Sequence, residues 1–255
     1  MGRHVLRFLV ALAVFLLGVE GVAKETILIK GSSTMKPLIQ SWKKSLSGQD
    51  YSIKIKGGGS GIGIKCANSM ECDIGMSSKS VSNSEYPDLN LHHLGWDGLA
   101  FVVHKDNPIK ELSKSQVIDI YTGKIKKWSE LNSFDLDVIP FQRGVERGEQ
   151  SFFQKIFGVT SSAKAIESNN AVVGTIYSNK GSISFMSAGK AQNSQSKIKV
   201  LKINHLGKDY SKALKRPLYI FYNKNHSKKS LLATIINDLE KDLKAHLDKS
   251  GMLGK

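Results

Sequence analysis

The sequence predicts an α/β fold with mainly parallel sheets, arranged as two lobes. Two strand–turn–helix units follow one another near the start of the chain, and a third strand ending in a polar turn comes next. This repetition is typical of parallel sheets, in which a helix carries the chain back to the next strand. A long amphipathic segment at the other end is expected to be a helix that returns to the first lobe.

In the first part of the chain, segments in which every second residue is apolar alternate with segments in which apolar residues recur every three to four positions. The first pattern indicates a strand and the second a helix. Polar turns, two of them containing glycine, separate these segments. The predicted strands are residues 27–30, 51–56 and 73–76, the turns are residues 31–34, 57–61 and 77–80, and the helices are residues 38–46 and 62–68.

The rest of the chain adds strands at 98–104, 138–141, 198–203 and 217–222, and helices at 112–121, 150–157 and 229–247. Asn107-Pro108 follows the first of these strands and is a natural place for the chain to leave one lobe. We therefore expect lobe 1 to comprise residues 24–104 and 216–255, and lobe 2 residues 105–215. No proline- or glycine-rich linker marks the boundary, so strands are expected to join the lobes.

The N-terminus has the layout of a signal peptide, predicted at residues 1–23. Basic residues precede an apolar run at 8–19, and small residues follow it at 21 and 23. An uncleaved membrane anchor is the alternative, but the run is shorter than the ~20 residues of a spanning helix. No cysteine lies near the cleavage point, so the mature form is expected to be soluble and not a lipoprotein.

The formal net charge is +15, which favours anionic partners through long-range attraction. A lysine bias spread over solvated surfaces explains the charge equally well. Nucleic acid is a poor candidate partner because no DNA- or RNA-binding motif accompanies the charge.

The only two cysteines, Cys66 and Cys72, are close in sequence. In an oxidising compartment such a pair suggests one local disulfide, and two buried thiols are the alternative. Two ligands do not make a structural zinc site.

Three polar turns each follow a predicted strand: Gly31-Ser32-Ser33-Thr34, the glycine-serine run 57–61, and Ser77-Ser78-Lys79. Ligands of open α/β sheets bind outside the carboxyl ends of the strands. Glycine permits close backbone approach, N–H groups at helix starts carry partial positive charge, and hydroxyls donate hydrogen bonds. The same residues also cap ordinary helices. Three such turns in register favour an oxyanion site.

A fourth element, QRGVERGE at residues 142–149, lies between the strand at 138–141 and the helix at 150–157. Arg143 in this loop could bind an oxyanion with two parallel hydrogen bonds. An exposed arginine in a charged loop is an equally good interpretation of the spacing alone.

Enzyme motifs are not found. The run GGGSGIG has Ile62 where a nucleophile elbow needs glycine, and it matches neither the dinucleotide fingerprint nor the P-loop. The histidines are scattered and lack metal-site spacing. We therefore expect no enzyme activity, no metal and no cofactor.

Several runs of the sequence resemble the phosphate-binding proteins that serve ABC importers. They are ILIKGSSTMKPL, IKGGGSGIGI, CDIGMSSKS, WDGLAFVVHKDNPIKELSKSQVIDIYTGKIKKWSEL, FQRGVERGEQSFFQKIFG and LKRPLYIFYNKN, in the family's order and over most of the chain. The resemblance implies a periplasmic-binding-protein-like fold, in which two α/β lobes joined by crossover strands close on the anion.

The resemblance also implies which residues bind the ligand. They come from the three turns of lobe 1 and from the loop of lobe 2: Ser33, Thr34 and Met35, then Ser60 and Gly61, then Ser78 and Lys79, and finally Arg143, Arg147 and Gly148.

Two positions depart from the family's pattern. Some members have a carboxylate in place of Ser78, and others have serine followed by arginine, where this chain has Lys79. The family usually has Ser-Gly-Thr where this chain has Arg147-Gly148-Glu149, which removes two hydroxyl donors and adds a cation and a carboxylate. Arg147 could replace the lost donors, and Glu149 could accept a proton or repel a dianion.

The resulting hypothesis is a monomeric periplasmic protein that captures inorganic phosphate and docks on the membrane subunits of an ABC importer. Alternatives are the same fold binding another oxyanion, a sensory or structural module, and, from a different class, an exported phosphate-ester hydrolase.

Overall fold

The computed structural model describes residues 24–204 and 214–254, so the signal peptide predicted at residues 1–23 lies outside the described part of the chain. Within these two ranges, no helix combines the length and the apolar character needed to span a membrane. Elements are numbered below in chain order.

The first lobe is built on parallel strands joined by crossover helices. Its central strand pairs in parallel with a neighbour on each side, as the strand–turn–helix repeats predict. The long helix predicted at 229–247 is two consecutive helices. The elements are β1 (Glu25–Gly31), α1 (Lys36–Lys43), β2 (Tyr51–Lys56), α2 (Ser60–Asn68), β3 (Ile74–Ser77), α7 (Lys229–Lys241) and α8 (Leu243–Lys249).

The second lobe also combines parallel strands with helices. Ser113 and Gln116 form a capping box at the start of its first helix. Its elements are β5 (Glu111–Ser113), α3 (Lys114–Tyr121), β6 (Ile139–Arg143), α4 (Gly148–Phe157), β7 (Lys164–Ile166), α5 (Asn169–Ser178), β8 (Ser182–Ser187), α6 (Ala188–Gln192) and β9 (Ile198–Asn204).

Two long strands, β4 (Leu89–His104) and β10 (Lys215–Asn223), join the lobes. They pair antiparallel, from Leu89 opposite Asn223 to Gly98 opposite Lys215. The strand order is β2-β1-β3-β10-β4-β8-β6-β7, so the antiparallel strands lie between the parallel strands of the two lobes. The predicted α/β class and crossover strands are confirmed.

The first segment of the predicted lobe 1 ends at residue 104, and the last residues of β4 also pair with strands of the second lobe. Residues 99–103 of β4 pair with β8, and residues 101–104 pair with β9, both in the second lobe. The sequence predicts only residues 98–104 of β4 as a strand, because its first half contains His92, His93 and Asp97 among the apolar residues. The predicted return at residue 216 lies one residue after the start of β10.

Each lobe has its own core. In the first lobe, Leu38, Ile39 and Trp42 form the buried face of α1 and pack on the sheet. In the second lobe, the rings of Phe153 and Phe185 stack with centroids 4.4 Å apart. Separate cores let each lobe move as a unit about the joining strands.

The two cysteines form a disulfide, with an S–S distance of 2.07 Å. It ties the end of α2 to the segment that enters β3. Both cysteines are buried in a small cluster that includes Phe221.

Candidate functional site

The three polar turns of the first lobe meet at the carboxyl ends of β1, β2 and β3. The hydroxyls of Ser32 and Ser78 are 2.9 Å apart, and those of Ser60 and Ser78 are 3.3 Å apart. The backbone N–H of Ser78 donates to Ser60 Oγ at 3.0 Å. We call Ser32, Ser60 and Ser78 the serine cluster.

Glycine at the end of β1 allows the turns to approach one another. Gly31 has a φ of 137°, and a Cβ there would lie 2.1 Å from the carbonyl oxygen of Met76 on β3. No other residue fits this position without moving the backbone.

The loop at 142–149 of the second lobe lies directly on these turns. A Cβ on Gly148 would be 2.6 Å from Ser78 Oγ and 2.9 Å from Ser60 Oγ. The N–H of Gly61 donates to the carbonyl oxygen of Glu146 at 3.2 Å. The lobes are therefore in contact, and we call this contact region the inter-lobe junction.

A fully buried arginine, Arg216 on β10, connects both lobes at the junction. Its Nη1 donates to Ser78 Oγ at 2.9 Å, and its Nη2 donates to Thr34 Oγ1 at 3.0 Å. Nη2 also pairs with Asp97 Oδ2 at 2.5 Å and with Glu149 Oε1 at 3.2 Å. One cation is thus shared by two buried carboxylates.

Glu149 is the second-lobe carboxylate of this network. Its Oε1 also accepts a hydrogen bond from Thr34 Oγ1 at 2.7 Å. Burial by itself raises the pKa of Glu149, but the charges of Arg216 and Arg143 and the Thr34 hydroxyl outweigh burial and lower the pKa to about 2. Glu149, which stands where the resemblance leads one to expect a hydroxyl donor, is therefore a charged carboxylate that the first lobe holds.

Arg143, at the end of β6, is a second buried arginine with only 1% of its surface exposed. Its Nη1 donates to Asn169 Oδ1 at 3.1 Å, whereas Nε and Nη2 have no hydrogen-bond partner among the residues that the structure describes. Burial lowers the pKa of Arg143; Glu149 opposes the shift, and Arg216 reinforces it. A buried guanidinium with two free donors is costly unless an acceptor reaches it.

Arg147 connects the two lobes at a further point of the junction. Its Nη1 donates to Ser33 Oγ at 2.8 Å, and its Nη2 pairs with Glu167 Oε2 at 2.8 Å. The side chain of Glu167 is 65% exposed, so this pair adds little stability by itself. Arg147 ties the second-lobe loop to the first turn.

Eight of the ten residues implied by the resemblance lie at the junction: Ser33, Thr34, Ser60, Gly61, Ser78, Arg143, Arg147 and Gly148. The other two differ. The side chain of Met35 is fully buried in the core of the first lobe. Lys79 is exposed, and its backbone N–H donates to Ser77 Oγ at 2.9 Å.

Sequence reasoning missed Asp97, Asn169 and Arg216. Arg216 and Asp97 face each other across β10 and β4, at the point where these strands cross between lobes. The available signal was a charged residue within or beside an apolar strand, as in GWDGLAFVV and KRPLYIFY. Such residues are rarely buried unless they are paired.

Among the described ranges of the chain, no group of three or more His, Cys, Asp or Glu side chains could hold a metal ion. The junction presents hydroxyl and backbone N–H donors and the guanidinium groups of Arg143, Arg147 and Arg216. Two α/β lobes that meet over such groups define a solute-binding protein of the two-lobed class.

Comparison with known proteins places the chain within this class. The model of the PBP superfamily domain matches residues 18–241. Phosphate-binding protein PstS of Staphylococcus epidermidis is 30% identical over 217 residues, which are 75% of this chain and 67% of that protein. PstS of Bacillus subtilis is 30% identical over 141 residues, 53% of this chain and 47% of that protein. The chain belongs to the PBP superfamily and, within it, to the family of the phosphate-binding proteins PstS.

Solved structures show the same fold. A Clostridium perfringens protein described as a phosphate ABC transporter substrate-binding protein, with bound phosphate, is 25% identical and has a TM-score of 0.77, covering 91% of this chain and 100% of that chain. An ABC-type phosphate transport receptor from Vibrio cholerae is 23% identical with a TM-score of 0.69, covering 90% of this chain and 100% of that chain.

Proposed function

We propose that the protein is a periplasmic solute-binding protein that captures phosphate between its two lobes and delivers it to the membrane subunits of an ABC importer. It acts as a monomer, is exported by its N-terminal leader and catalyses no reaction. Support comes from the PstS family, from relatives named for phosphate binding and from the geometry of the junction.

The observation that carries the proposal is the burial and the incomplete hydrogen bonding of the Arg143 guanidinium. This guanidinium is buried at the junction, and no residue in the described part of the chain accepts a hydrogen bond from Nε or Nη2. Carboxylates and phosphates accept two parallel hydrogen bonds from this group. An oxyanion bound there removes the cost of the two free donors, so ligand affinity includes the relief of that cost.

Closure of the lobes provides the rest of the binding energy. Arg147 and Ser33 connect the two lobes on one side, and Thr34 and Glu149 connect them within the junction. When water is excluded, each hydrogen bond to the anion is electrostatically stronger than in an open cleft. The closed form is the one expected to dock on the membrane subunits.

The test is calorimetric titration of phosphate-stripped protein with phosphate, sulfate, arsenate and molybdate. We expect selective phosphate binding. Arg143→Ala should weaken it about 100-fold or more, because two charge-assisted hydrogen bonds at ~1.5–3 kcal/mol each are lost. Lys244→Gln, an exposed substitution on α8, is the charge control and should change affinity less than about twofold.

If Arg143→Ala binds phosphate with the affinity of the wild type, Arg143 is not part of the binding site. Failure of the wild-type protein to bind phosphate would contradict the proposed function, and tight binding of another anion in that experiment would reassign the ligand.

A further inference from the structure

A cavity of about 550 Å³ lies between the lobes beside the junction. The start of α1 and the end of α8 form its first-lobe wall. The start of α5 and the segment from Ser187 to Lys190 form its second-lobe wall. Residues that line it include Thr34, Lys36, Gln40, Asn169, Lys190 and Lys249.

The wall of this cavity is cationic. Among the described residues that line it, three are lysines and none is a carboxylate. Within the described part of the chain, none of the ammonium groups of Lys36, Lys190 and Lys249 forms an ion pair. The first turns of α1 and α5 contain no acidic residue, so no carboxylate in these turns offsets the positive ends of the two helix dipoles; Ser168 caps α5 through its neutral hydroxyl.

Arg143, the second buried arginine of the junction, lies next to the same cavity. Asn169, on the cavity wall, accepts the hydrogen bond of Arg143 Nη1 at 3.1 Å. The guanidinium thus lies one hydrogen bond behind the wall, and among the described residues its buried Nε and Nη2 have no partner. Asn169 therefore connects the cavity to a buried cation with two unpaired donors.

The serine cluster is closed to a ligand in this conformation. Its hydroxyls bond to one another and to Arg216, and Gly148 lies against them. Thr34 and Arg216 hold the carboxylate of Glu149. The ligand space therefore begins at Thr34 and extends away from the cluster into the cavity.

This space is large for a single tetrahedral oxyanion, which has five heavy atoms. The cavity has a volume of about 550 Å³. It falls in the range of about 300–1,000 Å³ that is typical of pockets for small organic ligands.

We propose that the cavity takes a phosphorylated ligand with a second anionic group. The phosphate group binds at Arg143 and Asn169, and the second anionic group binds at Lys36 and Lys190, with Lys249 at the rim. This inference rests on the proposed function and extends its ligand from inorganic phosphate to the class of phosphorylated acids and diphosphates.

The experiment compares two ligands of similar size. 3-Phosphoglycerate and glycerol 3-phosphate share a phosphate and a three-carbon body, but only the first carries a carboxylate. Calorimetric titration with both, and with inorganic phosphate, should show 3-phosphoglycerate binding at least ~10-fold more tightly than glycerol 3-phosphate, since one ion pair of ~1.4 kcal/mol gives that factor.

The variant Lys36→Gln/Lys190→Gln removes two of the three cations, and Lys244→Gln on α8 is the matched control outside the cavity. We expect the double variant to reduce the preference for 3-phosphoglycerate to about twofold or less. The control should keep the preference of the wild type.

Two results would overturn this inference and leave the proposed function standing: phosphate binds as tightly as 3-phosphoglycerate, or the double variant weakens all three ligands equally, as long-range attraction alone would do. Failure of all three ligands to bind the wild-type protein would instead overturn the proposed function.

Discussion

Arg216 has more partners than any other side chain at the junction, and its removal tests how the lobes are held. The guanidinium is fully buried and pairs with Asp97 and Glu149. Without it, two carboxylates would remain buried close to each other. Breaking a buried pair in this way typically costs about 3–5 kcal/mol.

We therefore expect Arg216→Met to lower the free energy of unfolding by ~3–5 kcal/mol, measured by chemical denaturation at pH 7. Arg147→Met is the control. Its partner Glu167 is largely exposed, so this change should cost less than about 1 kcal/mol. Equal losses in the two variants would contradict a special role for Arg216.

Glu149 should make stability depend on pH in the acid range. Its pKa in the folded protein is about 2, below the ordinary value of 4.5. A carboxylate with a lowered pKa contributes stability that is fully present above the ordinary value and is lost as the pH falls toward 2. The shift corresponds to roughly 3 kcal/mol at neutral pH.

The measurement is the difference in unfolding free energy between wild type and Glu149→Gln. We expect the wild type to be more stable by a few kcal/mol at pH 7, and the difference to shrink between about pH 5 and pH 2. Glu71→Gln, an exposed carboxylate elsewhere in the first lobe, should give no such trend. A difference that is constant with pH would show that Glu149 is not held as a charged group.

At the scale of elements, the close approach of α4 to the turns of the first lobe depends on glycine. A Cβ at position 148 would lie 2.6 Å from Ser78 Oγ and 2.7 Å from the Ser78 carbonyl oxygen. Backbone atoms cannot yield to such a contact, so the loop and the turn must separate.

Gly148→Ala should therefore hold the lobes apart without unfolding either core. We expect a larger radius of gyration than that of the wild type in small-angle scattering with saturating phosphate. Gly174→Ala on α5 is the matched control, because no atom lies within 4 Å of the added methyl group. Alanine in a helix interior should make that control slightly more stable, by ~0.5–1 kcal/mol. Identical scattering of both variants would refute the closure argument.

For the whole molecule, two separate cores connected by β4 and β10 allow a hinge between the lobes. A ligand that contacts both lobes favours the closed form by its differential affinity. We expect phosphate to reduce the radius of gyration of the wild-type protein in solution. Arg143→Ala should show no reduction at the same phosphate concentration. No change in the wild type would indicate lobes that stay closed without ligand.

Much of the fold could be predicted because its signals are local. Strand and helix periods in the first lobe, the polar turns between them and the paired cysteines are all read from neighbouring residues. The full extent of β4 could not be predicted, because its first half contains His92, His93 and Asp97 and only residues 99–103 are continuously apolar.

The candidate site was only partly predictable. The three turns of the first lobe lie together because strand ends share one edge of a sheet, whereas the loop of Arg143 was joined to them only through the family resemblance. The exposure of Lys79 and the burial of Met35 could not be predicted, since a turn does not show which of its side chains faces inward. The cavity lysines carried no sequence signal that separates them from the many solvated lysines of this basic chain.

The sequence by itself determined the α/β class, the turns at the strand ends and a candidate oxyanion-binding arginine in the second lobe, whose burial it left open. Only the tertiary structure decided which charges meet. Thr34 and Glu149 are 115 residues apart along the chain, and Arg216 and Glu149 are 67 apart. Partner choice between buried charges depends on distance and desolvation in the folded state, and neither exists until the two lobes pack against each other.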